Sequence, residues 1–189
     1  GEMAISYRAA AEKLSKARTK GAKKLNAAVE QQLGDLAMQQ CKFEIALSPR
    51  ESSNPHPHGL EDIEFRISTN PGQEAGPLGK IASGGELSRI SLAIQVVTAS
   101  TSTVPAMVFD EVDVGIGGAV AEVVGHLLRS LSQKAQVMVV THLPQVASLG
   151  HQHLQVRKTS SKKRSQTELT QLSAQDRVQE IARMLGGVE

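Results

Sequence analysis

The chain of 189 residues has no tryptophan, one tyrosine and three phenylalanines, so aromatics make up 2% of it. With 40% hydrophobic residues a core must exist, and it must be built from Val, Ile, Leu, Ala and Met. An aliphatic interior of this kind suits a parallel sheet covered by helices. The single cysteine, Cys41, excludes an internal disulfide and fits a reducing, cytosolic setting. No 18-residue apolar run and no signal-peptide core occur, so the sequence predicts a soluble protein with no membrane span. Charge of either sign is also nearly absent in sum: 21 Lys and Arg against 19 Asp and Glu leave +2, which names no partner. Its distribution is uneven. Residues 1–42 carry eight basic and four acidic groups, and residues 157–164 carry five basic groups and no acid. Gly1, Glu2 and Met3 read as an appended scar ahead of an internal start.

What is present reads in order. Residues 4–41 contain no proline and are rich in Ala, Lys, Gln and Leu, all good helix formers. Leu25, Val29, Leu33 and Leu36 share one helical face, whereas the stretch before them is polar. That pattern suits a long helix leaving a globular body as one arm of a coiled coil, or an exposed solvated helix. Residues 42–47 and 63–68 alternate like an antiparallel strand pair, separated by the proline-rich SPRESSNPHPHGL. NPGQEAGPLG forms a second loop, and a helix follows to about Ala99. VPAMVFDE and AQVMVVTH are continuous apolar runs, expected as strands buried on both faces. Between them Val120, Val123, Val124, Leu127, Leu128 and Leu131 make a helical stripe, so the segment is a βαβ unit. Residues 153–172 read as a hairpin with a basic tip, and residues 175–186 as a closing helix.

Three constellations bear chemistry. In KIASGGELSR, Ser83 and Glu86 have the spacing of a capping box at a helix start. A capping box does not need Gly84 and Gly85, each of which costs a helix about 0.8–1 kcal/mol. Bare amides at a helix N-terminus let an anion such as phosphate approach the backbone. The structural cap and the phosphate seat are both open on this pattern. Asp110 and Glu111 end a buried strand where open α/β sheets bind ligands. One carboxylate can hold Mg²⁺ and its neighbour can orient or deprotonate water, unless both are only exposed strand-end acids. His142 ends the neighbouring strand and is expected at the same edge. The GIGG turn lacks the third glycine of a dinucleotide fingerprint, Val120 standing there. The H-x-H pairs His56/His58 and His151/His153 have no patterned third metal ligand. The basic tip of Arg157, Lys158, Lys162, Lys163 and Arg164 offers contacts to nucleic-acid phosphates or a solvated turn, and no aromatic residue accompanies it for base stacking.

The ordered series KIASGGELSRISLAIQV, PAMVFDEVDVGIGG, VTHLPQVASLGHQHLQV and EIARMLGG resembles the C-terminal half of an ABC-type ATPase head of the structural-maintenance-of-chromosomes (SMC) and Rad50 group. The likeness covers residues from about 40 to 188. It implies an α/β fold: the C-terminal lobe of a P-loop ATPase head over 42–189, mostly parallel sheet flanked by helices, with 1–41 as the end of a coiled-coil arm. It also implies ATP and Mg²⁺ as ligands. Ser83, Gly84, Gly85 and Glu86 match the signature loop that meets ATP held by an opposing subunit. Asp110 matches the Walker B metal carboxylate, and Glu111 the residue that activates water. Asp113 falls in the loop at the dimer seam, and His142 matches the switch histidine that senses the terminal phosphate. Arg89, in the signature helix, is a further candidate for support on the phosphate side. The implied partners are an N-terminal lobe of the same protein, a second copy across sandwiched ATP, and DNA. The implied use is recombinational repair of double-strand breaks in the cytoplasm, at the nucleoid.

The head of that group needs G-x-x-x-x-G-K-[ST], and no segment fits: Gly79-Lys80 is followed by Ile81, with Glu74 at the first glycine. The loop is expected in a lobe preceding the coiled coil. Micromolar ATP binding takes about 8 kcal/mol, and an exposed helix N-terminus supplies about 0.3–1 kcal/mol. The chain by itself is therefore expected to bind ATP poorly and hydrolyse none. The competing reading is a DNA-binding or coiled-coil interaction module in which the acidic pair is inert. A transporter subunit fits less well, since those keep both lobes in one uninterrupted domain.

Overall fold

The computed structural model describes all residues except 52–53, 81–82, 162–163 and 187–189. Two compact units make up the chain, Gly1–Thr101 and Ser102–Glu189. The first begins with helix α1, Glu2–Asp35, followed by strands β1 (Lys42–Pro49), β2 (Glu61–Ser68) and the two-residue β3 (Gly76–Pro77), a 3-10 turn at Leu78–Lys80, and helix α2, Gly84–Thr98. The second contains β4 (Ala106–Phe109), α3 (Gly118–Leu131), β5 (Gln136–Val139), the short α4 (Pro144–Ser148), the hairpin β6 (Leu154–Ser161) and β7 (Arg164–Gln171), and α5 (Ala174–Gly186).

In the first unit β1, β2 and β3 form an antiparallel sheet in that order. Val29, Leu33 and Leu36 reach 0% exposure, meeting a core that includes Phe43, Ile67, Ile90, Leu92 and Ala93. The face read from the heptad-like spacing is thus a packing face. β1 lies at the sheet edge, and its outward N–H groups would be open to a foreign strand. Side chains of α1 take them instead: Asn26 Oδ1 accepts from Ile45 N at 3.1 Å and Glu30 Oε1 from Phe43 N at 3.1 Å. Four helical residues rise about 6 Å and two strand residues about 6.6 Å, so a helix running against the strand can supply acceptors in step. Further along the same helix Tyr7 Oη accepts from His56 N (2.9 Å), and Arg18 Nη1 donates to His58 O (2.7 Å) and Glu61 Oε2 (3.2 Å). The end of the β1–β2 connection, from His56 to Glu61, therefore lies along α1. Of its H-x-H pair, His56 Nδ1 accepts from His58 N at 3.1 Å.

Helix α1 ends at Asp35, six residues short of the sequence expectation. Ala37 takes a left-handed φ of 59°, Met38 N donates to Leu33 O (2.9 Å) and Ala37 N to Gly34 O (3.3 Å). This is a Schellman stop, with Met38 buried near Leu33 as such motifs favour. An alanine occupies the position glycine prefers, which is why composition gives no warning.

The second unit is built on the parallel pair β4–β5, registered Ala106↔Gln136 through Phe109↔Val139. Helix α3 buries Ala121, Val124, Leu128 and Leu131 in the same core as Phe109 and Val112. Gly125 admits α4 so closely that a Cβ there would lie 2.6 Å from Leu149 Cδ1. The expectation of strands buried on both faces is corrected. Val108, Met138 and Val140 are 69%, 51% and 55% exposed, because alternate residues of the pair face away from the core of their own unit. The basic hairpin read at 153–172 is present as β6–β7, while Lys162 and Lys163 at its tip lie outside the described residues.

Replacing Ala37 by glycine removes the left-handed penalty on a side chain. Ala37→Gly is expected to raise stability by about 0.5–1 kcal/mol in urea denaturation of the chain; a loss of stability would contradict the stop geometry.

Candidate functional site

The ends of β4 and β5 define the site of the second unit. Val140 N donates to Phe109 O at 2.9 Å, so the ladder continues to the last apolar residue before Asp110 and Glu111. Both acids are exposed, while Val112 and Asp113 behind them are buried. Asp110 Oδ1 accepts Glu111 N at 2.9 Å, folding the acid back over the turn. Glu111 itself has φ 59°, rare for a residue with a side chain and commonest where geometry serves a function. Gly115 and Gly118, also at positive φ, return the chain to α3.

On the adjacent strand end, Thr141 and His142 turn toward the same loop. Asp113, 2% exposed, accepts on Oδ2 from the Thr141 hydroxyl and from His142 N (3.1 Å), and lies 3.4 Å from His142 Nδ1. The imidazole is itself 69% exposed. Asp110, Glu111 and His142 are thus gathered at one sheet edge. The carboxylate of Asp113 is engaged within its own unit. Thr141 was not singled out from the sequence, although a hydroxyl preceding His142 at a strand end is the type of residue that can hold such a turn.

In the first unit, Ser83 is the N-cap of α2, with Oγ accepting Glu86 N at 3.3 Å. The capping half of the sequence reading is therefore present in the described residues. Ser83 and Gly84 are exposed and Gly85 is buried. Arg89 is buried at 9% exposure. Burial lowers its pKa, opposed by the charges of Glu86 and Cys41, and burial raises that of the Cys41 thiol. The charges that act on Arg89 are thus those of Glu86, in its own helix, and of Cys41.

The donor set at the strand ends fits Mg²⁺ in one respect: a carboxylate oxygen is the hard ligand this ion takes. Among the described residues no group of three or more His, Cys, Asp or Glu side chains is gathered for a metal. An ion of this kind commonly binds through one or two carboxylates together with substrate phosphates and water.

The segment after His142 is held at both ends. Pro144 opens α4, and its last carbonyls are taken by arginines: Arg129 Nη1 to Leu149 O (2.9 Å), and Arg177 Nη2 to Ala147 O (3.1 Å), Ser148 O (2.7 Å) and Gly150 O (2.6 Å). Arg177 belongs to α5, which is fastened through Glu180. The Arg183 guanidinium, at 2.8 and 2.9 Å, and the Gln155 side chain hold the Glu180 carboxyl down at about 2. Burial, then the charge of Arg177, lower the pKa of His153 beside it.

Comparison with known proteins gives the class. No family model matches the chain. The fold is that of SMC heads. The Smc head domain with a coiled coil and joint from Pyrococcus yayanosii superposes at TM-score 0.59 and 18% identity, covering 88% of this chain and 30% of that one. A structure described as the structural biochemistry of ATP-driven dimerization and DNA stimulated activation of SMC ATPases gives 0.51 and 16%, covering 90% and 96%. At the level of sequence, the chain is a homologue of the DNA repair protein RecN. It is 53% identical over 182 residues to that protein of Xylella fastidiosa strain 9a5c, which covers 96% of this chain and 33% of the relative. The chain spans about a third of the length of the curated relatives it matches. Among the described residues no helix is long and apolar enough to cross a membrane.

The depressed value of Glu180 has a defined sign. Its ionised form stabilises the fold above the usual carboxyl value of 4.5, and that contribution is lost as pH falls toward about 2. Thermal melts of Glu180→Gln are expected below wild type at pH 6, with the gap closing between pH 4.5 and 2. A gap that stays constant across this window would remove the ion pair from the account.

Proposed function

We propose that the chain is the C-terminal lobe of an SMC-like ATPase head acting in DNA repair, one half of a composite site that binds and hydrolyses ATP between two heads. The observation that carries this reading is the meeting of Asp110, Glu111 and His142 at the carboxyl end of the β4–β5 pair, the edge where α/β sheets bind ligands. Asp110 is the residue to hold Mg²⁺, which when bound would neutralise phosphate charge. Glu111, exposed on its strained turn, is placed to orient and deprotonate the attacking water. His142 meets the terminal phosphate through its exposed imidazole. Ser83 and Gly84, exposed at the start of the 15-residue helix α2, offer amides and a hydroxyl to the phosphate of ATP held by a second head, while Gly85 is buried beneath them. Glu86, whose N–H is capped by Ser83, fixes the loop's entry. Asp113 belongs to this site from behind.

The remaining lobe supplies the phosphate loop that this sequence lacks. Its seat on the second unit is the uncovered face bearing Val108, Met138 and Val140: three large apolar side chains on a two-stranded sheet are costly to leave in water. α1 is proposed as the returning arm of the coiled coil.

DNA is the further partner. Residues 13–24 of α1 hold five lysines and no acid. At 3.6 residues per turn Lys13, Lys16, Lys20, Lys23 and Lys24 fall within an arc of about 100° and a length of about 16 Å. All five are exposed, while Arg18 on the opposite side is engaged with the β1–β2 loop. With no aromatic residue interleaved, this stripe suits a duplex backbone better than stacked single strands.

Two outcomes are expected. ATP turnover should be absent from the purified chain and present in the full-length protein. There Glu111→Gln should lower it by about 10²–10⁴-fold, the range for loss of a general base. Turnover by the chain alone, or full-length turnover indifferent to Glu111→Gln, would contradict the assignment. For DNA, replacing Lys16 and Lys20 by glutamine should weaken duplex binding by all sequences alike and reduce the salt slope by about 2. An unchanged slope would move the contact elsewhere.

A further inference from the structure

We propose that Asp113 is a positioning residue for His142: its carboxylate, itself bonded by the Thr141 hydroxyl, holds the imidazole by Nδ1 and leaves Nε2 for the incoming phosphate. The inference rests on the reading of His142 given above and concerns how that side chain is prepared.

A carboxylate at 2% exposure needs partners, because burial strips it of water. Among the described residues the partners of the Asp113 carboxylate lie on a single short segment. The Thr141 hydroxyl and the His142 N–H donate to Oδ2, and His142 Nδ1 lies 3.4 Å from the same oxygen. Thr141 Oγ1 in turn accepts Leu143 N at 3.0 Å, so three consecutive residues are tied to one carboxylate. Beyond them Leu143 caps α4, whose far end is gripped by Arg129 and Arg177. The backbone carrying His142 is thereby fixed on both sides while its ring stays 69% exposed.

An ionised carboxylate accepts and cannot donate, so beside Nδ1 it favours the neutral tautomer with the proton on that nitrogen. Nε2 then presents a lone pair when the ring is neutral and an N–H when it is protonated, in a direction set by the Asp113 contact. A separation of 3.4 Å is long for a hydrogen bond, and such contacts commonly shorten once substrate is bound. A carboxylate needed only for stability would be satisfied by the hydroxyl and the backbone amide. The imidazole contact is the part that acts on function.

The test reads the ring directly. In the ¹⁵N-labelled chain, long-range ¹H–¹⁵N NMR above the histidine titration range distinguishes the two tautomers, and His142→Asn identifies the signal. Wild type is expected with the proton on Nδ1. Asp113→Asn, which can turn an NH₂ toward the ring, is expected to move the population toward Nε2–H, and Asp113→Glu to restore it in part. Wild-type His142 protonated on Nε2 would overturn the proposal whatever the variants do. So would a tautomer that Asp113→Asn, shown folded by its melting curve, leaves unchanged. If Asp113→Asn fails to fold, Thr141→Val replaces it. That variant retains the carboxylate and is expected to keep the Nδ1 proton, and its loss would count against direct control by Asp113. In the full-length protein Asp113→Asn should lower kcat by about 10–100-fold with KM little changed, the scale seen when an orienting partner is lost. An equal rise in KM would assign it to binding. Glu111→Gln separates the two claims: hydrolysis that survives it removes the site reading, whereas a failed tautomer result with Glu111 essential removes only the positioning role.

Discussion

The register of β4 against β5 is the constraint on which the site depends. Parallel pairing of Ala106–Phe109 with Gln136–Val139 forces both strands to end on the same side. Two acids following one strand and a histidine following the other are then neighbours, although more than thirty positions separate them in sequence. A slip by one residue would invert the faces of a strand, burying the exposed row and turning Phe109 outward. The closing hydrogen bonds to Asp113 extend this constraint past the sheet, joining the turn after β4 to the segment after β5.

The first unit solves a different problem, that of an edge strand beside a long helix. Asn26 and Glu30 provide to Ile45 and Phe43 the acceptors that a further strand would have provided, which makes that stretch of the edge a poorer template for another chain. Tyr7 and Arg18 extend the attachment to the β1–β2 loop, so α1 is tied to its own unit along most of its length.

Much of this is legible in the sequence. The βαβ segment was readable because apolar runs and a strict helical stripe alternate there, and the strand-end acids and His142 followed from that pattern. The long helix was readable from its lack of proline and the spacing of Leu25, Val29 and Leu33. Its stop was not, because Ala37 adopts a conformation that sequence reserves for glycine. The uncovered strand face was missed for a physical reason: an apolar run reports that both faces of a strand are destined for burial, and says nothing of whether the covering layer is part of the chain. The roles of Asp113 and Thr141 were hidden because a buried carboxylate and an exposed one have the same letter. Only the fold reveals that Asp113 turns inward while Asp110 and Glu111 turn out.

The central claim is that a second molecule's Ser83 completes the site built on Asp110, Glu111 and His142. Mixing two inactive full-length variants tests it directly. Ser83→Arg and Glu111→Gln each disable both sites of a symmetric homodimer. In a mixed dimer one site joins the intact Glu111 of one head to the intact Ser83 of the other. Random exchange makes half the dimers mixed, so ATP turnover is expected to return to about a quarter of the wild-type value, if sites act independently. A mixture as inactive as its parents would place Ser83 and Glu111 in the service of the same molecule's nucleotide and contradict the account.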